Sequence, residues 1–197
     1  NDIDKLLHKS KLFQKKYKNK LKFLSGNKLI NSIKDYERLE EKIYFIKSFS
    51  FLTHCTDQLN KEKNKFYQST DEKLSEIEKN LVFFGIEINK LSKKKMGILQ
   101  ESKYSSWITN LNKFKRFQQT EIIEKILMEK SLTSSSAWIK FFDQTMTRLK
   151  FDFRKKKLSE TEIINLFSSS DEMVRKDAAM SFGKTLKDNI FNFTFIM

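Results

Sequence analysis

No proline occurs in the 197 residues of this chain, and glycine occurs only four times. That absence is its strongest structural constraint. Sheet-rich folds spend Gly and Pro at their many tight turns, so a chain nearly free of both predicts long helices and few connections. Hydrophobic residues make up 39% of the sequence, 19 of them Phe, enough apolar surface for a true core. Charged residues reach 32%, and no apolar run approaches the ~20 residues needed to span a bilayer. The expected fold class is therefore all-α and soluble.

Periodicity divides the chain further. Residues 2–25 read as a helix with Leu6, Leu7, Phe13, Tyr17, Leu21 and Leu24 on one broad stripe, and Gly26-Asn27 as its stop. A second helix runs to about residue 60, with Ile33, Tyr36, Leu39, Ile43, Ile46 and Ser50 on one face. In a third, Leu74, Ile77, Leu81, Phe84, Ile88 and Leu91 form a heptad-like seam, with Lys93–Lys95 at its negative end and Gly97 closing it. The two predict a long antiparallel hairpin over residues 27–97. Tyr104, Trp107, Leu111 and Phe114 predict a fourth helix, and Ile122, Ile123, Ile126 and Leu127 a short one.

Ser134–Ser136 suit the start of a helix carrying Trp138, Phe142, Thr145 and Leu149, with Trp138 expected to be a buried anchor. Phe151 and Phe153 alternate with charged neighbours, which predicts one short extended stretch near 150–155. Ser159–Glu162 and Ser169–Glu172 both match the capping-box pattern and open two more helices. The last one keeps Val174, Ala178, Phe182, Leu186 and Ile190 together and runs to Phe193, Phe195 and Ile196, apolar residues expected to need a further partner.

Chemistry is harder to find. A helical zinc site needs two His four residues apart with Glu between them, and neither His8 nor His54 begins that pattern. His54 and Cys55 are adjacent, which points their side chains about 100° apart on a helix. Cys55 is the single cysteine, so no internal disulfide can form, and a reducing compartment is expected. No phosphate-binding glycine loop is present. Net charge is +14, but the basic residues are scattered and interleaved with acidic ones, the pattern of solvated helix faces and not of a nucleic-acid interface. The residues identify no catalytic, cofactor-binding or metal-binding side chain. The start at Asn1, with no secretory signal pattern, is expected of a segment from inside a longer protein.

The stretch from Lys130 to Phe151 (Lys-Ser-Leu-Thr-Ser-Ser-Ser-Ala-Trp-Ile-Lys-Phe-Phe-Asp-Gln-Thr-Met-Thr-Arg-Leu-Lys-Phe) resembles the N-terminal region of oligoendopeptidase F-like zinc metallopeptidases. In that family a Glu-Lys-rich helix leads through a small-residue turn to Ala-Trp, a hydrophobic-Phe-Asp step and Leu-Lys/Arg-Phe. Leu158–Glu162 and Ser168–Ala179 look like its next two elements, and Ser50–Asp57 with the surrounding long helices like its first hairpin. Ser135 departs from the Gly that related sequences often carry. The resemblance implies three parts: a long-helix hairpin region over 1–115, an oligopeptidase F-like segment over 116–180, and a helix over 181–197 leading into a catalytic domain. It also implies a larger cytoplasmic enzyme with a central channel, hydrolysing oligopeptides at a zinc ion held by a later His-Glu-x-x-His and a further Glu. None of those ligands has a counterpart here, so zinc is expected of the intact enzyme and not of this chain. The expected partners are the chain's own catalytic domain and oligopeptides, with no membrane and no nucleic acid. A stand-alone helical interaction module is the alternative, with a basic nucleic-acid-binding protein behind it.

Overall fold

The computed structural model describes residues 2–196. Helices dominate: α1 (Asp2–Tyr17), α2 (Gly26–Cys55), α3 (Lys61–Lys79), α4 (Val82–Ile88), α5 (Lys93–Gln100), α6 (Ser105–Phe114), α7 (Glu121–Thr133), α8 (Ser135–Arg148), α9 (Glu160–Asn165), α10 (Glu172–Asp188) and α11 (Ile190–Ile196). Two three-residue strands, β1 (Phe151–Phe153) and β2 (Lys156–Leu158), pair antiparallel with Phe151 opposite Leu158. The chain divides into two compact units, one of residues 1–56 and 62–130, the other of residues 57–61 and 131–197.

The first unit is built on α2, whose 30 residues extend about 45 Å. Its apolar face is closed by Leu29, Ile33, Leu39 and Ile43, and two serines buried on α2 are satisfied within the helix. Ser32 and Ser50 donate their hydroxyls to the carbonyls of Leu29 and Lys47 at 2.6 and 2.9 Å. Side-chain pairs set α3 antiparallel to α2: Lys47 with Glu78, Phe49 with Phe66, and His54 with Tyr67. The hairpin expected from the apolar stripes is therefore present, but its second arm is not continuous. At residues 80–84 the backbone tightens to i→i−3 hydrogen bonds, Asn80 to Ile77, Leu81 to Glu78 and Phe84 to Leu81. Leu81-Val-Phe-Phe-Gly-Ile is too long an apolar run for one helical stripe, and the break lets Phe83 and Phe84 both be buried.

Other local expectations are corrected by the same packing. The first helix ends at Tyr17, not at Gly26-Asn27, and Asn19 takes the left-handed conformation at φ 64°. Gly26 instead opens α2, where a Cβ would lie 3.2 Å from Ile98 Cγ2. Lys93–Lys95 sit at the start of α5 and not at a helix end, and Gly97 lies inside it. The unfavourable placement is offset by Lys95, whose ammonium donates to the carbonyls of Lys22 and Leu24 at 2.5 and 2.6 Å.

In the second unit the single extended stretch proves to be a hairpin. Arg154 and Lys155 form its two-residue turn with φ 45° and 69°, the mirror-image geometry that suits strand twist. Phe151 stacks on Phe182 at 5.1 Å, and Ile163 and Ala178 complete a small core. The Ser159–Glu162 capping box is present on α9. The second box is not: Asp171 caps α10, and the Ser169 hydroxyl accepts from the Asp171 N–H. Trp138 is not the buried anchor expected of it. It is 48% exposed, and α8 fully buries only Met146. Ile190 and Phe191 are exposed, Phe193 meets Phe142 at 6.0 Å, and the side chains of Phe195 and Ile196, with Met197, lie outside the described residues.

Two substitutions test these cores. Phe84→Ala should cost about 3–5 kcal/mol, because it empties a ring-sized space at 0% exposure. Leu81→Asp should cost several kcal/mol through an unpaired buried charge, roughly 3 or more. Urea unfolding measures both, and an unchanged midpoint in either variant would show that the register of α4 is wrong.

Candidate functional site

A concave surface of about 860 Å³ lies in the first unit between α2 and the start of α6. Helical spacing explains its floor. Ile33, Tyr36/Glu37, Glu40/Glu41, Tyr44 and Ser48 recur every three or four residues along α2, on a face beside the buried one. Tyr104 and Trp107 form the opposite wall. Both walls are set by the core. Tyr36 stacks on Phe84 at 4.7 Å with 18° between the rings, and Trp107 lies 5.8 Å from Tyr36 and 6.4 Å from Phe84.

Three carboxylates line the groove, and no Lys or Arg does. The Tyr104 hydroxyl donates to Glu37 at 2.9 Å, and the Lys103 ammonium lies 3.7 Å from the same carboxylate and 4.6 Å over the Tyr104 ring. Glu40 is different. Burial raises its pKa above the ordinary carboxylate value; the Tyr36 hydroxyl opposes that rise, Glu78 adds to it and Lys47 opposes it. Lys47 is itself paired with Glu78 at 3.6 Å. Burial first, and the Glu40 carboxylate second, keep the Tyr36 phenol protonated well above its usual range. Glu41 is exposed, and among the described residues neither Glu40 nor Glu41 has an ion pair within 4 Å.

The residues weighed from sequence as metal ligands are not brought together into one site. His8 is exposed on α1, and Cys55 is exposed at the end of α2. His54 is buried, stacked on Tyr67 at 5.0 Å, with its Nδ1 unpaired. Among the described residues no three His, Cys, Asp or Glu side chains are grouped to hold a metal ion, so these residues do not fit a zinc site. Trp107, on the apolar stripe of α6, packs on the core and also lines the groove. Sequence periodicity missed the groove because its residues flank the apolar stripe of α2. The signal that could have found it is Tyr36-Glu-Arg-Leu-Glu-Glu, a run with three acids in a chain of net charge +14. No helix among the described residues is long and apolar enough to cross a membrane.

The raised Glu40 pKa fixes a sign. The folded state binds this proton more tightly than the unfolded chain, so Glu40 lowers stability as pH rises from the ordinary carboxylate value through its raised folded value. Glu40→Gln keeps an acceptor for Tyr36 and removes the titration. The variant should unfold at a higher temperature than the parent at pH 7, with the gap closing below the ordinary carboxylate range. Equal melting at pH 7 would mean that Glu40 is effectively solvated.

Comparison with known proteins places this architecture. Residues 87–151 match the family model described as Oligopeptidase F. Oligoendopeptidase-F from Enterococcus faecium superposes with a TM-score of 0.75 at 17% identity, over 95% of this chain and 40% of that one. The chain thus spans well under half the length of that enzyme. A Chlamydophila abortus structure assigned as a peptidase aligns over 87% of this chain and 31% of its own at 15% identity, but its TM-score of 0.48 supports no argument. No curated protein matches the sequence. Residues 87–151 are thus similar to the Oligopeptidase F family model, in a chain that shares its fold with oligoendopeptidase-F over 95% of its length.

Proposed function

We infer that this chain serves as the N-terminal part of a cytoplasmic, oligoendopeptidase F-like zinc metalloendopeptidase that hydrolyses short peptides, and that it contributes part of the substrate-channel wall. The observation that carries this reading is the joint one: a family match over residues 87–151 within a fold shared over 95% of the chain. Zinc would be held by a catalytic domain and not by the residues described here, since His8, His54 and Cys55 do not converge. In that domain zinc would polarise the scissile carbonyl and lower the pKa of its bound water. This chain would bind and orient the peptide beside it. The exposed apolar residues of α8, Trp138, Ile139 and Phe141 among them, are the kind of surface that a further domain covers.

The test is an assay on the protein as its gene encodes it, beside residues 1–197 alone, using a quenched fluorescent oligopeptide with and without a chelator. The gene-encoded protein should hold zinc and cleave in a chelator-sensitive way, while residues 1–197 alone do neither. Stoichiometric zinc with chelator-sensitive cleavage by residues 1–197 would overturn the assignment of catalysis to another domain. Absence of cleavage by the gene-encoded protein would favour a helical interaction module instead.

A further inference from the structure

We propose that the groove between α2 and α6 is a binding site for an arginine side chain of a peptide, held between the aromatic walls and the carboxylates of Glu40 and Glu41. Four observations meet there. The groove is lined by three glutamates and by no basic residue, in a chain of net charge +14. Glu40 is a half-buried carboxylate whose burial works against its ionised form and which has no ion pair within 4 Å among the described residues, so a cation entering the groove would add to the help it has from Lys47. Among the aromatic residues of the lining, Tyr44 is exposed and Trp107 half-buried, and a cation within about 6 Å of such rings is attracted by their π faces. The protein's own Lys103 already uses this chemistry at one end, over the Tyr104 ring and beside Glu37.

Arginine fits better than lysine. Its planar guanidinium stacks on aromatic faces and presents two parallel N–H donors to a carboxylate, whereas an ammonium is a compact point charge that gives up its hydration less readily. The about 860 Å³ available exceeds one side chain and leaves room for flanking peptide. Tyr44 and Phe45, both exposed, offer apolar contact to the methylene stem. The proposal does not depend on the peptidase reading, because it concerns binding by the first unit and no bond is broken.

Trp107 provides the readout. The chain has two tryptophans, so Trp138→Phe, at an exposed position, leaves Trp107 as the single reporter. The gene-encoded protein carrying that change, with any further tryptophans also replaced by Phe, is titrated with a blocked peptide containing one arginine. Identical peptides with citrulline or lysine at that position, and spermidine, complete the set. The arginine peptide should shift Trp107 emission saturably, with citrulline about tenfold or more weaker because it keeps the shape and loses the charge. Glu40→Gln with Glu41→Gln should weaken arginine binding about fivefold or more while the melting temperature is kept or raised. Tyr44→Ala, at an exposed ring, should weaken it by a smaller factor, about threefold. Equal binding of the arginine and citrulline peptides, undiminished binding by the double variant, or response to spermidine alone would overturn the proposal. Loss of hydrolysis with arginine binding intact would count against the peptidase reading only.

Discussion

The ring cluster centred on Phe84 is the contact on which the first unit depends. Phe13 from α1, Tyr36 from α2, Phe83 beside it and Trp107 from α6 all lie within 6.4 Å, centroid to centroid, of Phe84 or of a ring that touches it. Four helices thereby meet at one apolar point, and rings of this size contribute more burial per residue than any aliphatic side chain. A chain without proline and with four glycines cannot direct its helices through tight turns. It must direct them through packing, and aromatic rings are the means it uses.

The groove is a consequence of that cluster. Tyr36 and Trp107 both stack toward Phe84, and both also line the groove beside Glu37, Glu40 and Glu41. The carboxylates stand on the same helix as the core residues, one position to the side of the apolar stripe. Structure and candidate site therefore share a scaffold, since the stacking that stabilises the unit also sets the spacing of the groove walls. Rigid helices hold such a constellation better than loops do. The cost is visible at Glu40, whose burial opposes its own ionisation.

The second unit shows the opposite economy. Its core is small, with Phe151, Ile163 and Ala178 fully enclosed, and local devices assist it. A capping box starts α9, Asp171 caps α10, and Arg154 donates twice to Asp177 from within a positive-φ turn. Much of α8 and α11 leaves apolar side chains in solvent.

The residues by themselves determined the helical class, the stripes of α1 to α4, the core positions Ile43, Leu81, Phe84 and Ile88, the extended Phe151–Phe153 and the Ser159 cap. These follow from periodicity and short-range hydrogen bonding, which act within a few residues. The family resemblance was likewise legible, because it rests on ordered local motifs. Tertiary structure alone decided where the helices break, as at Asn80–Leu81, because burying both Phe83 and Phe84 outweighs helix continuity there. It alone decided that Trp138 is exposed while Trp107 faces a groove: an apolar stripe states which side seeks cover and not what covers it. The groove was hidden for the same reason. Its walls come from residues about 70 apart in sequence, Glu37 and Trp107, and only packing brings them together.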